Sequence, residues 1–264
     1  MKHSSVKNNA AFRLCPLASG SKGNSIFVST QDTAVLVDAG LSGIEIQRRL
    51  DTVGQDPQHL KAIIITHEHT DHVKGAGILS RRFDIPVYMN ELTFRSCTHL
   101  GKIKHLNFFE CGKSFVVDDL TINPFSISHD ARDPAGLTLS YNDKKIGIAT
   151  DLGIATSLVK SHLRYCNALY IEANHDPDML LNGPYPWHLK QRVKSRTGHL
   201  SNHAARDLVA ELCHKDLHHL ILAHLSEENN RPELAADEVS KGLNGRNTRL
   251  HVAGPDRPGA QILL

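Results

Sequence analysis

Residues 66–72 of the chain, Thr-His-Glu-His-Thr-Asp-His, hold four metal-binding side chains within six positions. His67 and His69 are two residues apart and project to the same side of an extended backbone. Asp71 and His72 follow at the start of a predicted helix. These two pairs of ligands suit two neighbouring metals, and zinc, manganese and iron all accept imidazole with carboxylate. The alternative is a polar loop that is rich in histidine by chance.

Four ligands cannot complete two metal sites, so further ligands must come from elsewhere in the chain. Three candidates each follow a predicted strand, namely His129, Asp151 and His224. Strands that end at one edge of a sheet would deliver these side chains to a shared cleft. Taken singly, each histidine favours an ordinary surface or capping position. Their common position at strand ends is what predicts a metal-binding cleft.

Hydrophobic periodicity predicts the elements that must position these residues. The apolar run at 63–65 is typical of a strand covered on both faces, and Ser42 with Glu45 forms a capping box. Strands are predicted at 12–17, 25–30, 33–37, 61–66, 86–89, 115–117, 120–128, 137–141, 145–149, 168–173 and 218–223. Helices are predicted from Ser42 to about 53, over 72–83 and 202–212, and from Pro232 onward. With no linker rich in Pro, Gly or Ser, one domain over 1–264 is expected.

Composition excludes several classes of protein. The chain has 264 residues and a net charge of +2, which is too mild to predict a nucleic-acid partner by itself. Its five cysteines are scattered without a C-x-x-C pair, which argues against a disulfide framework or a zinc ribbon. Neither an apolar signal core nor a stretch of membrane-spanning length is visible. A cytoplasmic protein without a membrane partner is therefore expected.

The segment His67-x-His69-x-Asp71-His72 resembles the H-x-H-x-D-H motif of metallo-β-lactamase-fold hydrolases. The resemblance implies an α/β fold, a four-layered αββα sandwich, which agrees with two β-rich halves that each carry helices. It also implies that Asp38, in the segment 36–40, supports the metal loop. One metal would be held by His67, His69 and His129, the other by Asp71, His72 and His224, and Asp151 would bridge both.

Four further segments, at 17–25, 183–190, 198–202 and 223–230, resemble the WalJ (YycJ) branch of this fold. Members of that branch are regarded as DNA exonucleases or, more cautiously, phosphodiesterases. Asp151 stands where many true β-lactamases carry a cysteine ligand, so antibiotic hydrolysis is not expected. The chain also has no room for the large cap inserted in many RNA- and DNA-processing relatives.

The expected activity is therefore that of a dinuclear-metal phosphodiesterase, and a DNA exonuclease in particular. Two divalent ions, Zn²⁺ or Mn²⁺ with iron as a third choice, would share a hydroxide that acts as the nucleophile. Asp71 is expected to be essential for that chemistry. The departing alkoxide of a DNA phosphodiester also needs a proton, and His199 is the candidate general acid. The alternative is that His199 only caps or orients a neighbour.

Two segments are candidates for contact with the substrate. The loop 19–25, with Ser19 and Asn24, could bring backbone N–H groups and hydroxyls to a phosphate, or it could be a tight turn between strands. The basic stretch 188–196, with Lys190 and Arg192, could bind DNA, or it could be a solvated helix face. A further polar cluster has no assigned role: Glu172, Asn174, His175 and Asp176.

Other functions are compatible with the same ligands. The main alternative is a thioester or lactone hydrolase of the glyoxalase II type, against which the basic stretch and His199 favour phosphate. An electron-transfer diiron protein usually carries a flavin domain, for which this chain has no room. A non-catalytic metal-binding adaptor would be expected to lack a ligand, and none is missing.

Overall fold

Two β-sheets of seven strands each lie face to face in the computed structural model, which describes residues 11–264. An apolar cluster that includes Val35, Ile64, Leu137 and Ile148 fills the space between the sheets. Two further clusters pack helices against the outer face of each sheet. This arrangement is the four-layered αββα sandwich that the sequence predicts.

Short strands make up both sheets. In chain order along the described residues they are β1 (Arg13–Ala18), β2 (Ser25–Ser29), β3 (Ala34–Val37), β4 (Ala62–Ile64), β5 (Val87–Met89), β6 (Leu106–Phe108), β7 (Phe115–Val117), β8 (Leu120–Ser126), β9 (Ala135–Tyr141), β10 (Lys144–Ala149), β11 (Ala168–Glu172), β12 (His219–Ala223), β13 (Arg249–Val252) and β14 (Ile262–Leu263). The first sheet has the order β14-β1-β2-β3-β4-β5-β6 and the second the order β13-β12-β11-β10-β9-β8-β7. β14 pairs antiparallel with β1 at the edge of the first sheet.

The helices occupy the two outer layers and several connections. They are α1 (Gly43–Thr52), α2 (Thr70–Val73), α3 (Ala76–Phe83), α4 (Glu91–Ser96), α5 (Ser157–Leu163), α6 (Pro177–Asn182), α7 (Trp187–Lys194), α8 (Asn202–Leu212) and α9 (Pro232–Ser240). The predicted cap at Ser42 is confirmed, since its side chain accepts a hydrogen bond from the N–H of Glu45. Ser201 caps α8 in the same way by accepting one from the N–H of Ala204. Within residues 11–264, no helix combines the length and apolar character that crossing a bilayer requires.

The single helix predicted over 72–83 is wrong in its extent. The segment forms two helices, α2 and α3, with Gly75 between them. The N–H of Gly75 donates to the carbonyl of Ala39 at 2.7 Å, and a Cβ at Gly75 would lie 2.4 Å from the carbonyl oxygen of Leu41. The chain is therefore fixed against the loop that follows β3, and this tertiary contact ends the first helix after one turn.

The direction of the strands determines where the loops meet. β3 and β4 run parallel in the first sheet, and β10, β11 and β12 run parallel in the second. The loops that leave the carboxyl ends of parallel strands lie at one edge of a sheet. Every residue that the sequence predicts as a metal ligand lies in one of these loops, in α2, or in the connection between β8 and β9.

Candidate metal centre

Asp38 organises the loop that follows β4. Its carboxylate accepts hydrogen bonds from the backbone N–H of Thr66 at 2.9 Å and from the Thr66 hydroxyl. The same carboxylate lies 2.8 Å from Nδ1 of His72. An ionised carboxylate can only accept, so Nδ1 of His72 carries the proton. Nε2 is then the nitrogen that could bind a metal, in exchange for its contact with the Asn24 amide at 3.0 Å. This is the supporting position that the family resemblance implies for Asp38.

The seven side chains expected as ligands come together in space. Their donor atoms form two sets, in each of which the atoms lie within 4.8 Å of one another: His67, His69 and His129 in the first set, and Asp71, His72 and His224 in the second. Asp151 lies between the sets. Its Oδ2 is 3.1 Å from Nε2 of His72, and its Oδ1 is 3.4 Å from Nε2 of His224 and 3.6 Å from Nε2 of His129.

Buried donor atoms without partners indicate that this group fits divalent cations. Nε2 of His67 and Oδ2 of Asp151 are both buried and accept or donate no hydrogen bond within the described part of the chain. Orphaned buried polar atoms of this kind are rare and require an explanation. Burial also lowers the pKa of His67, which favours the neutral imidazole that binds a metal. Two divalent cations would satisfy both atoms.

Buried carboxylates raise the pKa of two imidazoles in the site. Burial alone would lower the pKa of His72, but the carboxylates of Asp151 and Asp38 outweigh it and raise that pKa well above its usual value. Burial likewise opposes the charged form of His224, and the Asp151 carboxylate again reverses the effect. Buried carboxylates that draw protons onto neighbouring imidazoles would draw a divalent cation in the same way.

Three side chains of the site sit on backbone in the left-handed region. Asp38, Asp151 and His224 have φ values of 60°, 55° and 54°, a conformation that is uncommon for residues other than glycine. At His224 the strain is held by neighbours, because its N–H donates to Oγ of Ser19 at 2.7 Å and its carbonyl accepts from the Asn174 amide at 2.8 Å. Such strain commonly accompanies functional sites.

A pair formed by the buried Glu172 and the partly buried His199 stands beside the proposed ligands. Nδ1 of His199 lies 2.7 Å from Oε1 of Glu172, and Oε2 of Glu172 accepts backbone hydrogen bonds from Leu152 and Leu200 at 2.8 and 3.0 Å. Burial alone would raise the pKa of Glu172, but His199 and its other partners lower it to about 2. Burial alone would lower the pKa of His199, which Glu172 raises instead. The imidazole of His199 belongs to neither of the two sets above. It falls in a further group of close donor atoms with Asp151, Glu172 and His224, and because Glu172 engages its Nδ1, Nε2 is the nitrogen that stays free.

Glu172 is the residue that sequence reasoning did not assign. A carboxylate at the last position of the buried strand β11 was the available signal, as it was for Asp151 after β10. The other three residues of the polar cluster 172–176 differ in their positions. Asn174 lines the cleft, Asp176 caps α6, and His175 is buried and bridges to Ser201.

Ser19 and Asn24 do not lie where contact with a substrate was expected. They are 1% and 4% exposed. Ser19 binds the N–H of His224, and the amide of Asn24 lies 3.2 Å from Oδ2 of Asp71 and 3.0 Å from Nε2 of His72. Both side chains therefore contact proposed ligands from within the protein, and Ser21 of the same loop lines the cleft instead.

The basic stretch forms α7, and its two candidate residues face different sides. Arg192 lines a cleft of about 220 Å³ that also contains His69, Asp71, Asp151 and His199. Its Nε donates to Asp130 at 2.6 Å. Lys190 does not line that cleft, and its Nζ donates to the carbonyl of Leu181 at 2.7 Å. The structure thus brings only Arg192 to the metal cleft.

Comparison with known proteins agrees with this geometry. Residues 18–155 match the model of the metallo-β-lactamase superfamily. The chain is 37% identical to the exodeoxyribonuclease YycJ of Bacillus anthracis, over 92% of this chain and 95% of that protein. It is 39% identical to the exodeoxyribonuclease WalJ of Streptococcus pneumoniae, over 85% of each chain. The crystal structure of the metallo-β-lactamase fold protein YhfI from Bacillus subtilis superposes with a TM-score of 0.76 at 16% identity, covering 97% of this chain and 100% of that one.

The fold and the site together define a metal-dependent hydrolase with a His/Asp donor set. The chain belongs to the metallo-β-lactamase superfamily and, within it, to the WalJ/YycJ type.

Proposed function

We propose that the chain is a dinuclear-metal phosphodiesterase and that it degrades DNA from an end. The observation that carries the proposal is the His199–Glu172 pair, a proton donor held beside two metal-ligand sets. Hydrolysis of a phosphodiester with a poor leaving group needs such a donor. The names of the YycJ and WalJ relatives support DNA as the substrate.

The proposed metal ligands are the two donor sets. His67, His69 and His129 would hold one ion and Asp71, His72 and His224 the other, with Asp151 shared. This donor chemistry suits Zn²⁺ or Mn²⁺ and also accepts iron. When bound, two such ions supply a hydroxide nucleophile near neutral pH and neutralise charge on the phosphate.

His199 supplies the proton in this proposal. As the P–O bond breaks, its electron pair stays on the departing oxygen, and the proton on Nε2 of the His199 imidazolium neutralises that oxygen. Glu172 accepts the hydrogen bond of Nδ1, so it fixes the ring and stabilises the charged form. Arg192 at the mouth of the cleft contributes positive charge toward the DNA backbone.

The thioester hydrolase alternative gains no support from this arrangement. A thiol has a pKa of about 8.5, so a thiolate departs with little help from a proton donor. The buried Glu172 and the positioned His199 would then have no use in the reaction. No feature of the described residues favours a thioester over a phosphodiester.

One experiment tests the proposal directly. Protein reconstituted with Zn²⁺ or Mn²⁺ is incubated with end-labelled single- and double-stranded DNA, with a chromogenic phosphodiester and with a thioester. We expect DNA and the chromogenic diester to be cleaved only with metal, and metal analysis to approach two ions per chain. Preferential hydrolysis of the thioester would refute the proposal, and a tight limit of one ion would refute its dinuclear form.

A further inference from the structure

The metal cleft has an apolar wall beside the proposed ligands. Three apolar or aromatic side chains line the cleft, namely those of Tyr185, Leu189 and Val193. Tyr185 lies in the connection between α6 and α7, and the other two residues lie four positions apart in α7. Helical residues at that spacing share a face. The segment 185–193 therefore presents one apolar surface directly to the space in which the metals would act.

This wall is not part of the protein core. None of its three side chains belongs to the apolar clusters that fill the sandwich or packs against one of them, within residues 11–264. The rings of Tyr88 and Tyr141 pair with other aromatic rings, but the partly buried Tyr185 has no such pair, and its hydroxyl makes no hydrogen bond, in the same part of the chain. An aromatic side chain that serves neither the core nor a hydrogen bond and lines a cleft is typical of a ligand site.

The backbone that carries Tyr185 is fixed before any ligand binds. Pro184 and Pro186 flank the residue, and a residue that precedes proline is restricted to extended conformations. Gly183 packs so closely that a Cβ there would lie 2.6 Å from Oδ1 of Asn229, which is 1% exposed. A side chain on a rigid connection loses little conformational entropy on binding, so its contact contributes more of its energy to affinity.

Polar groups complete the lining of the cleft. Ser21 and Ser226 line it from the loops after β1 and β12, and the Lys22–Glu227 ion pair at 2.6 Å joins these two loops. Arg192 adds a cation. An aromatic face, hydroxyls and a cation together complement the base, the sugar and the phosphate of a nucleotide. A simple acyl group would use the apolar wall and leave the other groups without partners.

The size of the cleft limits what it can hold. Its volume is about 220 Å³, which is below the roughly 300–1,000 Å³ of pockets that enclose drug-sized ligands. The cleft therefore has room for one nucleotide and not for a longer stretch of DNA. Since the proposed metal ligands line the same space, that nucleotide is the one next to the phosphate that is cleaved.

We propose that Tyr185, supported by Leu189, binds the face of the base in the nucleotide next to the cleaved phosphate. The metal cleft then recognises a nucleoside as well as a phosphate. This inference rests on the proposed nuclease function and names a residue that determines its specificity. Every base has a planar face, so the contact accepts all four bases. The identity of the base should therefore matter little, and its removal should matter greatly.

Calorimetry tests the inference without catalysis. Metal-loaded protein is titrated with thymidine 3′,5′-bisphosphate, which carries a phosphate on both sides of the nucleoside, and with its stable abasic analogue. Base stacking is worth about 1–3 kcal/mol per base, so we expect the nucleotide to bind roughly 5- to 150-fold more tightly than the abasic analogue. Equal affinity for the two ligands would mean that the cleft recognises phosphate alone and would overturn the inference.

Substitutions assign the preference to one side chain. Tyr185→Ala should remove most of the preference for the nucleotide over the abasic analogue, and Tyr185→Phe should keep it because the hydroxyl makes no hydrogen bond with any residue between 11 and 264. The control is Tyr165→Ala, which removes an aromatic side chain that is 76% exposed and does not line the cleft. A full preference in Tyr185→Ala would overturn the inference.

Kinetics provide a second readout that a merely structural role would not produce. Tyr185→Ala should raise the Michaelis constant for DNA while the turnover number changes little. Methyl nitrophenyl phosphate is a chromogenic diester without a base, and the variant should hydrolyse it at the parent rate with full metal content. A loss on this diester as large as that on DNA would mean that the substitution disturbs the metal centre, and would contradict the inference.

The two proposals fail in different ways. If Tyr185→Ala removes the preference for the nucleotide but the parent protein cleaves no phosphodiester, the nucleoside site stands and the proposed function is wrong. If the parent protein cleaves DNA with metal but binds the nucleotide and the abasic analogue equally, the nuclease stands and the assignment of Tyr185 is wrong.

Discussion

The base of the metal cleft and the helix α7 above it are built in opposite ways. The base comprises His67, His72, Asp151, Glu172 and His224, all of which are at most 3% exposed. Each of them is fixed by buried polar neighbours, and two of them sit on left-handed backbone. α7 instead exposes an indole and several cationic side chains. Buried polar networks tolerate little change, whereas surface substitutions usually alter stability by at most about 0.5 kcal/mol.

This difference suggests that the base of the cleft carries out the chemistry and that α7 determines which substrate binds. The base holds several of the proposed ligands, and strain of about 1–3 kcal/mol at each left-handed residue must be stabilised by the surrounding fold. α7 can vary without disturbing those ligands. We therefore expect substitutions in the base to affect every substrate and substitutions in α7 to affect only DNA.

Asp151→Asn should have the largest effect, because Asp151 is shared by both proposed metals. Asparagine has nearly the same shape and tolerates positive φ, so the variant should fold as the parent protein does. We expect fewer than two bound metals and no measurable turnover on DNA or on the chromogenic diester, a larger loss than the roughly 10–100-fold typical of a lost supporting partner. Metal analysis and circular dichroism measure this. Two tightly bound metals with near-normal turnover would contradict the shared role of Asp151.

His199→Ala should produce the next largest effect, and one that depends on the leaving group. General acid help is worth about 10²–10⁴-fold. DNA leaves as a basic alkoxide and should lose that factor, whereas a nitrophenyl diester leaves as a stabilised phenolate and should keep much of its rate. The measurement is the turnover rate of the variant on each substrate, with metal content determined in parallel. An equal loss on both substrates at full metal occupancy would assign His199 an orienting role instead.

Glu172→Gln should reproduce the His199 pattern at smaller size. The glutamine cannot both accept from Leu152 and Leu200 and accept from His199, so the imidazolium loses its partner. We expect a loss of roughly 10–100-fold on DNA and a smaller loss on the nitrophenyl diester, with unchanged metal content. Because Glu172 also lies 3.4 Å from Nδ1 of His224, reduced metal content would show that it supports a ligand rather than the acid.

The strands, the helix starts and the candidate ligands could be predicted from local signals, and the resemblance of residues 67–72 to a known motif implied the sandwich. Buried apolar runs that end in His or Asp mark strands and their carboxyl ends, and Ser42 and Ser201 mark helix starts. The break at Gly75 could not be predicted, since it depends on a contact with residues 39–41 that only the fold creates. The three-residue strand β6, with the sequence Leu-Asn-Phe, is too short to show a period.

The substrate residues were harder to predict than the ligands for a related reason. Ser19 and Asn24 are polar and lie in a glycine-containing loop, which is typical of phosphate contact. Their side chains are instead occupied by His224, Asp71 and His72. Likewise the basic stretch 188–196 gave no orientation until α7 placed Arg192 and Lys190 on different sides. Whether a polar side chain is available to a substrate depends on its partners in the folded protein, which the sequence does not show.

Arg192→Ala should have the smallest effect, and it separates α7 from the base by the dependence on salt. The Arg192 side chain is 56% exposed and pairs with Asp130, and an exposed pair of this kind is worth only about 0–1 kcal/mol. The melting temperature should therefore change little.

The Michaelis constant for single-stranded DNA should rise several-fold, because a cation at the mouth of the cleft is lost while the Asp130 carboxylate remains. A single phosphate contact contributes about 0.7 to the slope of log affinity against log salt concentration, so the slope should decrease by about that amount. Arg192→Lys, which keeps the charge, should keep the slope. Glu172→Gln, a substitution at the base of the cleft, should also keep the salt slope, since Glu172 touches no phosphate in the proposed mechanism. A slope unchanged in Arg192→Ala would mean that Arg192 serves only to hold Asp130.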